Sequence, residues 1–258
     1  MNKSALRGPG EVAEDQAGPE LARTYARLRE MLGVEFVPTV HRMLGMHEEY
    51  LTAATESVGD LMAGSSGDEF AARARDMAHQ AALSFPEVSI SAGGDAEAIN
   101  AMLDRYNRAN PLNLLFTRAM LPEGPADGGK VMGSRLDQPI DFADPEAVLA
   151  DVEAAHGGFV KPGLWRELAE FPGVLTDSWL AVRALAGLPA FQEARSGLLE
   201  AASKAAADVV APVPRDLGIS DEEAASIDEI LTWFTHGISS MVVEIEYLRY
   251  VINDKPGD

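Results

Sequence analysis

Apolar residues recur along most of the chain at helical steps. Val40, Met43, Leu44 and Leu51 mark one such stripe, and polar or charged residues fill the positions between them. This spacing predicts a helix over 19–32, opened by Pro19 and stopped at Gly33, and a second helical stretch from Pro38 through Leu51 to Met62. Gly64-Ser65-Ser66-Gly67 reads as a break, followed by an Ala-rich amphipathic helix over 68–83 and an irregular connection over 84–94. A helix over 95–108 is expected to stop at Asn110-Pro111, with a further apolar helix over 111–120. Alternating β-branched runs are short and isolated, and no hairpin signal joins two of them, so the predicted fold class is all-α.

The pattern repeats. An offset of 124 residues pairs Gly33 with Gly157, Pro38 with Pro162, Arg42 with Arg166, Leu44 with Leu168, Leu51 with Leu175, Thr52 with Thr176 and Val58 with Val182. At an offset of 128, the stretch 99–120 matches 227–248, mainly in apolar periodicity. Identities at Gly and Pro punctuation are hard to obtain from shared helical composition alone. The expected organisation is a mobile leader (1–19), a first helical repeat (20–121), a linker rich in Pro, Gly and Asp (122–144), a second helical repeat (145–252) and a short tail (253–258). Two such units imply an intramolecular pseudo-dimer with a pocket between its halves.

Composition narrows the chemistry. The chain has 258 residues, 47% hydrophobic and 24% charged, as in ordinary globular proteins. Its 21 basic against 41 acidic residues give a net charge of −20, which argues against nucleic-acid and membrane-surface partners. The absence of cysteine removes disulfides, thiolate metal sites and cysteine nucleophiles. No signal-peptide-like or membrane-spanning apolar run is evident, so a cytoplasmic location is the expectation. Phosphate loops, dinucleotide fingerprints and nucleophile elbows are also missing, and a cofactor-free protein fits best.

Several phrases carry a family resemblance. They are Leu32-Gly33-Val34-Glu35-Phe36-Val37-Pro38-Thr39-Val40-His41-Arg42, then Tyr106-Asn107-Arg108-Ala109-Asn110-Pro111-Leu112-Asn113-Leu114-Leu115, and, in the second half, Arg166-Glu167-Leu168-Ala169-Glu170-Phe171-Pro172 with Leu175 and Trp179 beyond it. Together with the apolar run 227–250 they resemble the group I 2-haloacid dehalogenases over roughly residues 20–250. The resemblance implies an all-helical fold of two fused repeats. It also implies hydrolysis of a short 2-halocarboxylic acid, with inversion, by a water that an aspartate activates without a covalent ester. A small-molecule carboxylic acid is thus the expected partner, no metal is expected, and a homodimer is possible.

The resemblance departs at the base. Where the family carries an Asn-Ser-Asp-Tyr-like phrase, this chain has Pro162-Gly163-Leu164-Trp165, which sets Leu164 at the aspartate position. Leucine accepts no proton. Either another carboxylate serves, with Asp177 the first candidate and Glu167 and Glu170 nearby, or the chain is a relative that binds or differently transforms a small apolar carboxylate. The expected substrate-binding residues are Phe36, Thr39, Asn107, Asn110, Gly163, Leu164 and Trp165. For Asn107 and Asn110, helix capping before Pro111 is an equally good reading, and for the aromatics, plain core packing. Asp76 with His79 and Glu153 with His156 have the Glu-x-x-His type of spacing used by di-iron bundles, but the further glutamates such a site needs are not evident. A third possibility is an acidic helical interaction protein that docks through its last helix.

Overall fold

The computed structural model describes residues 10–121 and 140–253, and within them every regular element is a helix. In the first run these are α1 (Pro19–Leu32), α2 (Thr39–Leu44), α3 (Glu48–Ala63), α4 (Ser65–Ala82) and α5 (Ala96–Met120). In the second they are α6 (Pro145–Ala155), α7 (Gly163–Leu168), α8 (Pro172–Leu185), α9 (Pro189–Ala205) and α10 (Asp221–Asn253). Most of the expected 122–144 linker, all of the tail beyond 253 and residues 1–9 of the expected leader lie outside the described residues.

Local chemistry sets the helix ends. Pro19 opens α1, and Gly33 closes it in the left-handed region, at φ 64°, where its N–H reaches the carbonyls of Arg29 and Glu30. Gly157, 124 residues on, also has positive φ, at 97°. Pro38 and Pro162 are the N-caps of α2 and α7. Residues 10–18, part of the expected leader, pack onto the first run. Val12 N–H donates to the Arg42 carbonyl, Tyr25 donates to the Val12 carbonyl, and Glu14 accepts from both Arg29 and the Val37 N–H.

Three helix boundaries differ from the sequence expectation. The stretch 38–62 is divided: α2 ends at Leu44 and a 3-10 turn, Gly45–His47, leads into α3. Gly45 packs against Tyr25 so closely that a Cβ there would lie 2.3 Å from the phenol oxygen. Ser65, Ser66 and Gly67 do not separate helices but form the first turn of α4. Most consequentially, α5 runs unbroken through Pro111. A helix-interior proline costs roughly 3 kcal/mol, and here packing offsets it, since every residue from Ala109 to Thr117 is buried. Asn110 is therefore a helix-interior residue, and the capping reading does not apply to it.

α5 and α10 form the central pair, and the other helices pack around it. Contacts recur in matched form: α1 on α3 and α6 on α8, α4 on α10 and α5 on α9, α2 on α10 and α5 on α7, with α4 against α9. One continuous apolar core results, with Trp165, Trp179, Tyr25, Tyr247, Phe116 and Phe191 among its largest side chains shut off from water.

Candidate active site

A cavity of about 300 Å³ opens where α2, α5, α7 and α10 converge. Helix α5 supplies Tyr106, Ala109, Asn110 and Asn113. Helix α10 supplies Phe234, Gly237, Ile238 and Met241, each 128 residues beyond its α5 counterpart. The short helices contribute in the same manner: Pro38, Thr39 and Arg42 from the start of α2, and Pro162, Gly163 and Arg166 from the start of α7, 124 residues apart. Phe36 and Val160 complete the matched positions. Equivalent places thus carry unlike chemistry. The α5 wall presents a phenol and two carboxamides, and the α10 wall presents an aromatic ring and aliphatic side chains.

The polar wall is held from behind. His41, fully buried, meets Asn113 Oδ1 through Nε2 at 2.9 Å. Burial lowers the His41 pKa to about 4, against the opposing Asn113 bond, so the ring is neutral at pH 7. With Oδ1 as acceptor, Nε2 carries the proton, and the Asn113 amide is left to donate elsewhere. His41 also stands edge-on to Phe116, centroids 4.6 Å apart. The Asn110 amide nitrogen is buried and has no hydrogen-bond partner among the described residues, and the same holds for Trp233 Nε1 on α10. Both residues line the cavity.

Two glutamates reach it from the α7 side, Glu167 and Glu170. Tyr106 donates to Glu167 Oε1 at 2.6 Å, and Arg105 donates to Oε2 at 2.8 Å. Burial, reinforced by the bond to Glu167 and its charge, pushes the Tyr106 hydroxyl far above the usual phenol range, so it stays a neutral donor. Each Glu167 oxygen keeps a further lone pair. A Cβ on Gly163 would come within 2.7 Å of the Tyr106 oxygen, so the phenol occupies the space that a side chain at 163 would take.

An ionic cluster adjoins the cavity, and one of its members, His156, lines it. His156 Nε2 contacts Glu244 at 3.0 Å, its Nδ1 contacts the Val152 carbonyl at 2.8 Å, and Trp165 Nε1 donates to Glu244 at 3.3 Å. With acceptors at both nitrogens the ring is an imidazolium. Desolvation pulls its pKa down, but the Glu244 charge and the bonds to Glu244 and Val152 outweigh it and the net shift is upward.

Of the residues named from sequence, Phe36, Thr39, Asn110 and Gly163 come together around the cavity. Asn107, Leu164 and Trp165 do not line it. Asn107 is buried on the next face of α5 and donates to Glu246 at 2.8 Å, and Leu164 and Trp165 point into the core. Asp177 is exposed on α8 and is not part of the cavity. Its place follows from the α8 pattern, in which Val174, Leu175, Ser178 and Trp179 form the inward stripe. The Glu-x-x-His pairs are separated as well: His156 bonds Glu244 rather than Glu153, and His79 lies 3.7 Å from Glu246. Among the described residues no group of three His, Asp or Glu stands close enough to hold a metal ion. Sequence reasoning overlooked Asn113, Tyr106, Arg42 and Arg166 as lining residues, although applying the repeat offsets to the two helix phrases selects them.

No family model matches the chain. Among curated proteins it is similar to the (R)-2-haloacid dehalogenase of Pseudomonas putida, 22% identical over 92% of this chain and 91% of that one. Among solved structures it is similar to a D-2-haloacid dehalogenase in complex with L-LA, with a TM-score of 0.77 and 17% identity over 97% of this chain and 99% of that one. A mutant D-2-haloacid dehalogenase in complex with D-2-CPA gives a TM-score of 0.75 at 18% identity, covering 97% of both chains. The chain therefore has the all-α fold of the D-2-haloacid dehalogenases.

Proposed function

We propose that the protein is a hydrolase of the 2-haloacid dehalogenase type. It acts in the cavity between two related helical units on a short 2-halocarboxylic acid, through an activated water and without a covalent intermediate. The observation that carries this reading is the Asn110 amide nitrogen, a buried donor with no acceptor among the described residues, on a side chain that lines a cavity of a size suited to a small acid. A buried donor left unpaired costs about 1–3 kcal/mol, and a guest rich in acceptors and poor in donors removes that cost. Carboxylate oxygens and a departing halide both qualify. The likeness in sequence and fold to haloacid dehalogenases supports the choice of substrate class.

In this reading Glu167 takes the role for which Asp177 was considered. Tyr106 and Arg105 fix its two oxygens, and the remaining lone pairs take a proton from the water as its oxygen attacks the α-carbon. The attack displaces halide with inversion and gives the 2-hydroxy acid. The aliphatic residues of α10 surround the reacting carbon, and the amides of α5 meet the charge that leaves. The matched positions at offsets of 124 and 128 support the pseudo-dimer arrangement, with the two halves specialised into a polar and an apolar wall.

A second reading, a relative that binds a small apolar carboxylate without dehalogenating it, is favoured by one feature. Leu164, at the expected base position, is shut into the core and accepts no proton. Halide release from D- and L-2-chloropropionate, 2-bromopropionate and monochloroacetate separates the two. Release by the native chain that Glu167→Gln abolishes supports the hydrolase. Folded native protein that releases nothing from any of them rules it out.

A further inference from the structure

We infer that Arg42, Arg166 and the Thr39 hydroxyl form an anion cradle at the cavity that takes the carboxylate of the bound acid and decides which ligands enter. The inference rests on the reading of the cavity as a site for a small carboxylic acid, and it assigns the end of the cavity at which the acid group sits.

Arg42 and Arg166 are equivalent residues, each four positions beyond the proline that caps its helix, and the fold brings both to one oxygen. Arg42 Nη2 lies 3.2 Å and Arg166 Nη2 3.3 Å from Thr39 Oγ1. The two guanidinium nitrogens are therefore no farther apart than these two bonds laid end to end, a like-charge approach that needs a reason. Only Arg42 is balanced, by Glu11 at 3.2 Å, and a further bond to the Val37 carbonyl at 2.7 Å fixes it in place. Arg166 is exposed, and among the described residues it bonds Thr39 and forms no ion pair.

Thr39 adds a third donor. Both of its lone pairs face guanidinium groups, so the hydroxyl proton is what it has left to give, and Thr39 itself lines the cavity. Three donors converging on a cavity edge, two of them cationic and one unbalanced, match a carboxylate and reject a neutral amide of the same shape. In a chain with a net charge of −20 such a local reversal of sign is also what an anionic ligand needs in order to approach. With the carboxylate held here, the Asn110 amide is free for the halogen end of the molecule.

The test uses propionate, which carries the carboxylate and no halogen, and propionamide, its neutral counterpart. Titration calorimetry on the native chain should show propionate binding that weakens about tenfold or more in Arg166→Gln, the loss expected for a charge-assisted bond. Arg166→Lys should recover part of the affinity, raised salt should narrow the gap, and whatever weak affinity propionamide has should be the same in all three proteins. Unchanged propionate affinity in Arg166→Gln overturns the cradle, as does an equal loss for propionamide, which would mark a structural role, or no propionate binding by the native chain at millimolar concentration. Halide release is scored separately. A native chain that releases halide while Arg166→Gln binds propionate normally retains the hydrolase and loses the cradle. Arginine-dependent propionate binding without halide release has the opposite meaning.

Discussion

The Tyr106 hydroxyl and the Glu167 carboxylate meet at 2.6 Å across the junction of α5 and α7, joining the polar wall of the cavity to an acidic residue on its opposite side. Glu167→Gln keeps the shape and the Tyr106 and Arg105 neighbours but removes the proton acceptor. It should lower kcat for halide release by at least about a hundredfold, the range ascribed to a positioned general base. Asp177→Asn, on the exposed side of α8, should leave kcat within about twofold, the scale of a surface change. Steady-state kinetics of the two variants side by side check both statements, and the reverse order of effects would return the base to Asp177.

Asn110 is expected to trade stability for function. Asn110→Leu fills the same helix position with an apolar side chain and removes a buried amide nitrogen that has no partner among the described residues. Thermal unfolding should give a Tm equal to or above that of the native chain, while halide release falls and propionate, which has no halogen end, binds as before. A Tm drop as large as that of a core truncation would show that the amide is bonded within the folded protein.

The two buried histidines should respond to pH in opposite senses. His41 has its pKa lowered by burial, to about 4, so the unfolded chain binds its proton first as pH falls from 6.5. Stability is therefore lost between pH 6.5 and pH 4, by on the order of 3 kcal/mol for a shift of this size. His41→Phe should flatten that limb of a denaturation series. His156 has its pKa raised by Glu244 and by its hydrogen bonds, despite the opposing desolvation. Its contribution is full below pH 6.5 and is lost as pH rises through the folded value. Equal slopes for native and His41→Phe protein between pH 4 and 6.5 would contradict the first assignment.

Glu244 is buried with His156 and Trp165 as its partners. Glu244→Leu strands the imidazolium, and chemical denaturation should show a loss of about 3–5 kcal/mol, the usual result of removing one member of a buried pair. Replacing both, Glu244→Leu with His156→Leu, should recover much of that loss. A double variant as unstable as the single one would mean that packing and not the unpaired charge sets the cost.

The helical class, the limits of α1 and the periodicity of the final helix are legible in the sequence because each has a local cause: a proline start, a glycine stop, an apolar stripe. Pro111 misleads because its local penalty is offset by tertiary burial along α5, which no short window of sequence contains. That continuity in turn keeps Asn110 in register with Tyr106 and Asn113 on one face. Phe36, Thr39, Asn110 and Gly163 are found from the resemblance, whereas Asp177 is chosen by proximity in sequence to the missing aspartate, and proximity in sequence does not determine helix face. Arg42 and Arg166 were visible as a repeat pair, but that both reach Thr39 depends on how α2 and α7 approach one another in space.

The most direct test of attack by a water held in this cavity is a single turnover in ¹⁸O-labelled water, with enzyme in excess over the better enantiomer of 2-chloropropionate. Direct attack predicts that the 2-hydroxy acid formed in that first turnover carries the label at its α-oxygen at the solvent enrichment, and that its configuration is inverted. An unlabelled α-oxygen, with the label entering a glutamate or aspartate of the protein in that same turnover and reaching the product only on later ones, would contradict it.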